Sequence, residues 1–97
     1  MNFGQAIEAL KVGQKVARQG WNGKGMFLVY VSGSDVAPYH GTPYHDPYIF
    51  DEDGRVKINP HIDMKTATGE MQPGWLASQT DMLAEDWSVV DDDQSGQ

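Results

Sequence analysis

The sequence predicts an α+β fold, an N-terminal amphipathic helix packed on an antiparallel, mostly meandering sheet. Three observations lead there. Apolar residues near the N-terminus recur at helical spacing: Phe3, Ala6, Ile7 and Leu10. Short runs rich in β-branched and aromatic residues follow, punctuated by glycine and proline. The chain has 97 residues, room for one core and not two.

Taken in order, Asn2 suits an N-cap and Gly13 a C-terminal stop, so the helix makes roughly three turns and needs a partner for its apolar stripe. Residues 15–18 (KVAR) and 26–31 (MFLVYV) read as strands. The loop between them contains Asn22-Gly23, a dipeptide that tolerates positive φ and favours a tight turn. Residues 32–60 differ in character, with four prolines, three tyrosines and two histidines. This stretch reads as an excursion with at most a small hairpin, with strand candidates at 48–50 and 55–58 around the Asp53-Gly54 turn. From His61 to Thr66 the pattern alternates, placing Ile62 and Met64 on one face and His61, Asp63 and Lys65 on the other. Residues 70–72 return after the turn at Ala67-Thr68-Gly69, and Pro73-Gly74 breaks the strand. Ser78, Thr80 and Asp81 open a short helical turn, and Trp87 to Val90 closes the sheet. Residues 1–90 form one domain, and the acidic 91–97 stretch reads as a frayed tail.

Composition narrows the function. A net charge of −7 opposes binding of long nucleic acid, which depends on neutralising many phosphates, yet permits one compact site for a small anion. There are no cysteines, which excludes disulfides and thiolate metal sites. No apolar run reaches the ~20 residues of a membrane span, and the N-terminus lacks the pattern of a secretory signal. A soluble cytoplasmic protein is the expectation, with no membrane partner.

Chemistry has few places to reside. GWNGKG lacks the spacing of a phosphate loop, and no nucleophile elbow is present. His40, His45 and Asp46 sit in YHGTPYHD, where polar loop residues packed by tyrosines explain them better than a metal site. His61, Asp63 and Lys65 share one strand face and read as a solvated or interface surface. The charge in AEDW reads as a solvated turn, and Trp87 as core or interface. Trp21 and Trp75, each beside a glycine, leave two readings open: large hydrophobes closing a small core, or platforms converging to sandwich a planar base, each stack worth roughly 1–3 kcal/mol. Asn22 and Lys24 beside the first, and Ser78 to Asp81 after the second, supply hydrogen-bonding groups and a cation suited to a nucleotide.

Residues 2–31 (NFGQAIEALKVGQKVARQGWNGKGMFLVYV) and 58–90 (INPHIDMKTATGEMQPGWLASQTDMLAEDWSVV) resemble a family of small phage and prophage proteins, the second type of Thoeris anti-defence protein. The stretches GWNGKGMF and WLASQTDMLAEDW are the most specific part of the likeness, and residues 32–57 lie outside it. The resemblance implies a sponge and not an enzyme: a protein that binds, without degrading, a cyclic ADP-ribose isomer (glycocyclic ADP-ribose) made by a bacterial TIR-domain immune protein. It further implies a homotetramer, a dimer of dimers, with pockets between protomers, acting in the cytoplasm of the infected host. No cofactor or metal is implied, and guanine-containing cyclic dinucleotides are a possible second ligand class. Carried over by position, Trp21 and Trp75 would stack on adenine. Asn22, Lys24, Ser78, Thr80 and Asp81 would contact ribose, base edge or phosphate, with Phe27 as a further contact. A different class of function also fits the composition: a protein-binding inhibitor module that docks on a host enzyme through a tryptophan-rich surface.

Overall fold

The structure, a computed structural model, describes residues 1–21, 24–36 and 54–91. Helix α1 spans Phe3–Lys11. Its start is a capping box: Gln5 N–H donates to Asn2 Oδ1 at 2.8 Å and Asn2 N–H to Gln5 Oε1 at 2.9 Å. Its end is a Schellman closure. Gly13 adopts φ +94°, which lets Gly13 N–H reach Leu10 O at 2.9 Å and Gln14 N–H reach Ala9 O at 3.1 Å. Both helix signals in the sequence are therefore real caps.

Seven strands and one further helix follow: β1 (Lys15–Arg18), β2 (Phe27–Val31), β3 (Ser34–Val36), β4 (Val56–Ile58), β5 (His61–Lys65), β6 (Met71–Gln72), α2 (Gln79–Leu83) and β7 (Trp87–Val90). Five strands form one antiparallel sheet in the order β6-β5-β2-β1-β7, and β3 pairs with β4 as a separate ribbon. The excursion thus contains a small ribbon, but with a pairing the turn signals did not suggest. Val56–Ile58 pairs with Ser34–Val36, across a long sequence gap. The expected strand at 48–50 lies outside the described residues, as do Asn22-Gly23 and the tail from 92 onward.

Register gives the sheet two unlike faces. Val16 sits opposite Leu28, Leu28 opposite Met64, and Arg18 opposite Trp87, so these residues share the face beneath α1. Ala6, Ala9 and Leu10 of the helix close on Val16, Leu28 and Trp87 to make the core, with Phe3, Ile7, Trp21, Ile62, Met64 and Trp75 packed around it. The opposite face carries Lys15, Ala17, Phe27, Val29, Asp63 and Lys65. A core this small makes each buried side chain count. Leu28 is fully buried, and Leu28→Ala is expected to lower unfolding free energy by about 2–5 kcal/mol. Lys57→Ala, at an exposed position of β4, should change it by no more than about 0.5 kcal/mol. Urea titration followed by tryptophan fluorescence separates the two.

Candidate functional site

The end of β1, the loop after it, the segment before α2, and the start of β7 meet at one end of the sheet, on the α1 side. Trp87, only 2% exposed, lies at the centre of that meeting. Trp21 packs edge-on against it at 5.4 Å between ring centroids and Trp75 at 6.2 Å, while Phe3 lies tilted by 43° at 5.5 Å. Trp21 and Trp75 also touch each other, 6.4 Å apart with their planes at 66°. Edge-to-face contacts of this kind align the positive ring edge with a neighbour's negative face.

The two indoles singled out in the sequence, 54 positions apart by their numbers, are therefore neighbours in the fold. They are not opposed plates. A base fits between two rings only if they are parallel and a ring's thickness stands free between them. Here the rings meet at a steep angle with Trp87 packed against both. Within one chain the two indoles form a wall that offers its outer surface, and not a sandwich.

Polar groups hold that wall in place. Arg18 extends from β1 and bridges two carboxylates, donating from Nε to Asp86 Oδ1 at 2.9 Å and from Nη1 to Asp81 Oδ1 at 2.8 Å. Asp86 Oδ2 accepts the Gly20 N–H at 2.8 Å, just before Trp21. A side chain at position 20 would place its Cβ 2.9 Å from that oxygen and 3.2 Å from Arg18 Nη2, so the loop needs glycine there for close approach. Asp81 also accepts from Trp21 Nε1 at 3.4 Å through Oδ1 and from Ser78 N–H at 3.2 Å through Oδ2. Ser78 Oγ in turn accepts the Asp81 N–H at 3.1 Å, a capping box that starts α2. Trp87 Nε1 donates to Asp81 O at 3.0 Å.

Electrostatics follow this geometry. Burial opposes ionisation of Asp81, but the hydrogen bonds from Arg18 and Ser78 outweigh it and hold its carboxyl below the ordinary range. The Arg18 hydrogen bond lowers Asp86, helped by Gly20 N–H against a smaller effect of burial. Asp86 and Asp81, in that order, raise Arg18 against a smaller opposing effect of burial.

An apolar cleft of about 410 Å³ adjoins the wall between α1 and the 74–76 segment, with Ile7 and Leu10 on one side, Trp75 and Leu76 on the other, and Tyr30 and Ile62 beneath. That volume lies within the roughly 300–1,000 Å³ of small-molecule sites. Trp75 thus faces the aromatic array and also lines the cleft.

The other sequence candidates distribute unevenly. Ser78 and Asp81 belong to the array, though their described hydrogen bonds are spent on α2, Arg18 and Trp21. Thr80 is exposed on α2. Phe27 stands apart: it is on the other sheet face, 8% exposed, beneath the ammonium groups of Lys15 and Lys65 at 5.2 and 5.8 Å from its centroid. Lys24 is also away from the array's polar network and faces Lys65 across a small hollow. Asn22, His40, His45 and Asp46 lie outside the described residues. His61 Nε2 approaches Asp63 Oδ1 at 3.5 Å while Gly74 N–H donates to the same oxygen at 3.0 Å, a contact that anchors the turn before Trp75. Among the described residues, no three His, Asp or Glu side chains gather as metal ligands, and no helix is long and apolar enough to cross a membrane.

The reading of AEDW as a solvated turn is corrected, because Asp86 is tied to Arg18 and Gly20. Arg18 and Asp86 were missed for the same reason. They are 68 positions apart by their numbers, and nothing local to KVAR or AEDW marks the pair.

The model of the Thoeris anti-defense 2-like domain matches residues 1–90. The chain belongs to that family. Thoeris anti-defense 2 of Bacillus phage SP01 is 42% identical over 90 residues, which span 93% of this chain and 94% of the relative. The match to the Thoeris anti-defense 2-like domain runs through residues 32–57 as well, so the excursion falls inside the family's domain.

The Arg18 tie predicts an acid-sensitive fold. Carboxyls held below their unfolded values stabilise fully above the ordinary carboxylate range, and that contribution is lost as pH falls through the folded values. The melting temperature should be flat from neutrality to about pH 5 and fall below about pH 4. Arg18→Gln should melt lower at pH 7, with its deficit shrinking as pH drops. Calorimetric melts across this range measure both trends.

Proposed function

We propose that this protein is a Thoeris anti-defence sponge that captures a cyclic ADP-ribose isomer made by a bacterial TIR-domain immune protein and holds it without chemical change. What supports sequestration is the convergence of Trp21 and Trp75 on one aromatic wall beside a cleft of nucleoside-compatible size. The name of the phage relative supports the anti-defence role. In this reading the adenine stacks on the exposed side of the wall, and Asn22, Ser78 and Thr80 address ribose and base edge. Asp81 acts through its bonds to Trp21 and α2, as a positioning residue.

Silencing a dilute signal requires a nanomolar dissociation constant, roughly −12 kcal/mol. Stacking supplies about 1–3 kcal/mol per ring, so charge-assisted bonds and exclusion of water must supply most of the rest. A wall open on one side excludes little water. A second copy closing over it would, and the exposed Leu76 (89%), Leu83 (77%) and Val12 (77%) provide apolar surface for such contacts. The homotetramer, a dimer of dimers acting in the infected cell's cytoplasm, is the assembly proposed for this role.

Mixing protein and signal, removing free ligand by filtration and heating the retained fraction tests the proposal directly. A sponge releases intact nucleotide, a hydrolase releases product, and a module that docks on a host enzyme retains none. Trp75→Ala should weaken calorimetric affinity by about 10- to 100-fold while the variant stays folded by circular dichroism. Undiminished affinity in that variant removes the wall from the site. Light scattering of the free protein should give the mass of four chains.

A further inference from the structure

We propose a second ligand site, on the other side of the sheet from the tryptophan wall: an oxyanion site that takes a phosphate group in the hollow between the loop preceding β2 and the turn joining β5 to β6. Lys24 and Gly25 line it from the first, and Lys65, Thr66, Thr68 and Gly69 from the second. Its volume, about 210 Å³, falls below the roughly 300 Å³ at which whole drug-sized ligands are held. It therefore suits a compact anion or one phosphate of a larger ligand.

Charge makes the case. The chain carries −7 and only seven Lys and Arg side chains, yet Lys24 and Lys65 face the same small hollow. The ammonium of Lys65 sits over the Phe27 ring, 5.8 Å from its centroid. The face of that buried ring attracts the cation and helps hold it beside the hollow. Like charges brought together in this way repel, and an anion between them relieves the repulsion. Among the described residues, neither Lys24 nor Lys65 takes part in an ion pair. The carboxylate at this turn, Glu70, is held by the Thr68 hydroxyl at 2.5 Å, while Glu70 N–H donates to Thr66 Oγ1 at 3.1 Å. Those bonds, with the Thr66–Thr68 hydroxyl contact at 3.1 Å, keep the hydroxyl hydrogens within the turn and stiffen it, so the ammonium groups beside it meet an anion at less entropic cost.

The lysines approach on the Phe27 face, whereas the tryptophans pack with Leu28 and Met64 beneath α1. Phosphate binding here does not depend on sequestration at the wall, and the two fail separately.

Two-dimensional amide NMR of the full chain, titrated with inorganic phosphate and then pyrophosphate, tests the site. Sodium chloride at matched ionic strength is the control. Saturable shifts should appear at Lys24, Gly25 and Thr66 to Gly69, with the indole signals of Trp75 and Trp87 unmoved. Lys24→Gln or Lys65→Gln should each weaken binding about tenfold, as loss of one charge-assisted bond implies, and the double variant should abolish it. Lys57→Gln, a cation outside the hollow, should bind as the parent does. A dispersed spectrum in each variant shows that it is folded. Shifts that never saturate, that chloride reproduces, that persist in the double variant, or that fall on Ser78 and Trp75 instead would overturn the proposal.

Discussion

The buried indole of Trp87 is where four distant stretches of the chain are made to agree. Its rings receive Trp21 and Trp75 edge-on and Phe3 at a tilt, and its nitrogen must find an acceptor because so little of the side chain reaches water. That acceptor is the Asp81 carbonyl, so satisfying one N–H also sets where α2 lies. Its backbone completes the set: Trp87 N–H donates to Met1 O at 3.1 Å, and the Met1 amine donates to Trp87 O at 2.7 Å. Phe3 is thereby carried to the same place as the ring it covers.

Once Trp87 is seated, Trp21 and Trp75 have little freedom left. Both are half-buried, which is the condition a binding wall needs. One side of each ring is anchored by packing, and the remainder stays available to a ligand. Arg18 provides the polar counterpart of this arrangement. A guanidinium has a rigid fork of donors, and here it joins the carboxylate that caps α2 to the one that holds the Gly20 backbone. The aromatic array and the ionic tie meet at Asp81, which explains why a residue suited by type to touch a nucleotide is instead occupied with supporting Trp21.

The two faces of the sheet separate two kinds of chemistry in a very short chain. Beneath α1 the sheet is apolar and aromatic, with an open cleft where the helix does not extend over β5. On the reverse, the ammonium groups of Lys15 and Lys65 lie over the Phe27 ring. Strand alternation alone produces this division, because neighbouring residues Phe27 and Leu28 must point to opposite sides. Phe27, grouped with the tryptophans by its place in the sequence, belongs by its face with the lysines.

Local chemistry was legible without coordinates wherever a backbone need is met by neighbouring residues. The capping box at Asn2, the left-handed stop at Gly13, the alternation from His61 to Lys65 and the Ser78 start of α2 all involve partners within a few positions, so residue type and spacing suffice to determine them. Trp87 was readable as core for a similar reason, since a large indole opening a strand beside Val89 and Val90 has few other uses. What only the tertiary structure decided involves partners far apart in sequence: β4 pairing with β3, Asp86 answering Arg18, and the angle at which Trp21 meets Trp75. Those outcomes depend on which surfaces are left to be buried after the helix and sheet have packed, and no local spacing encodes that.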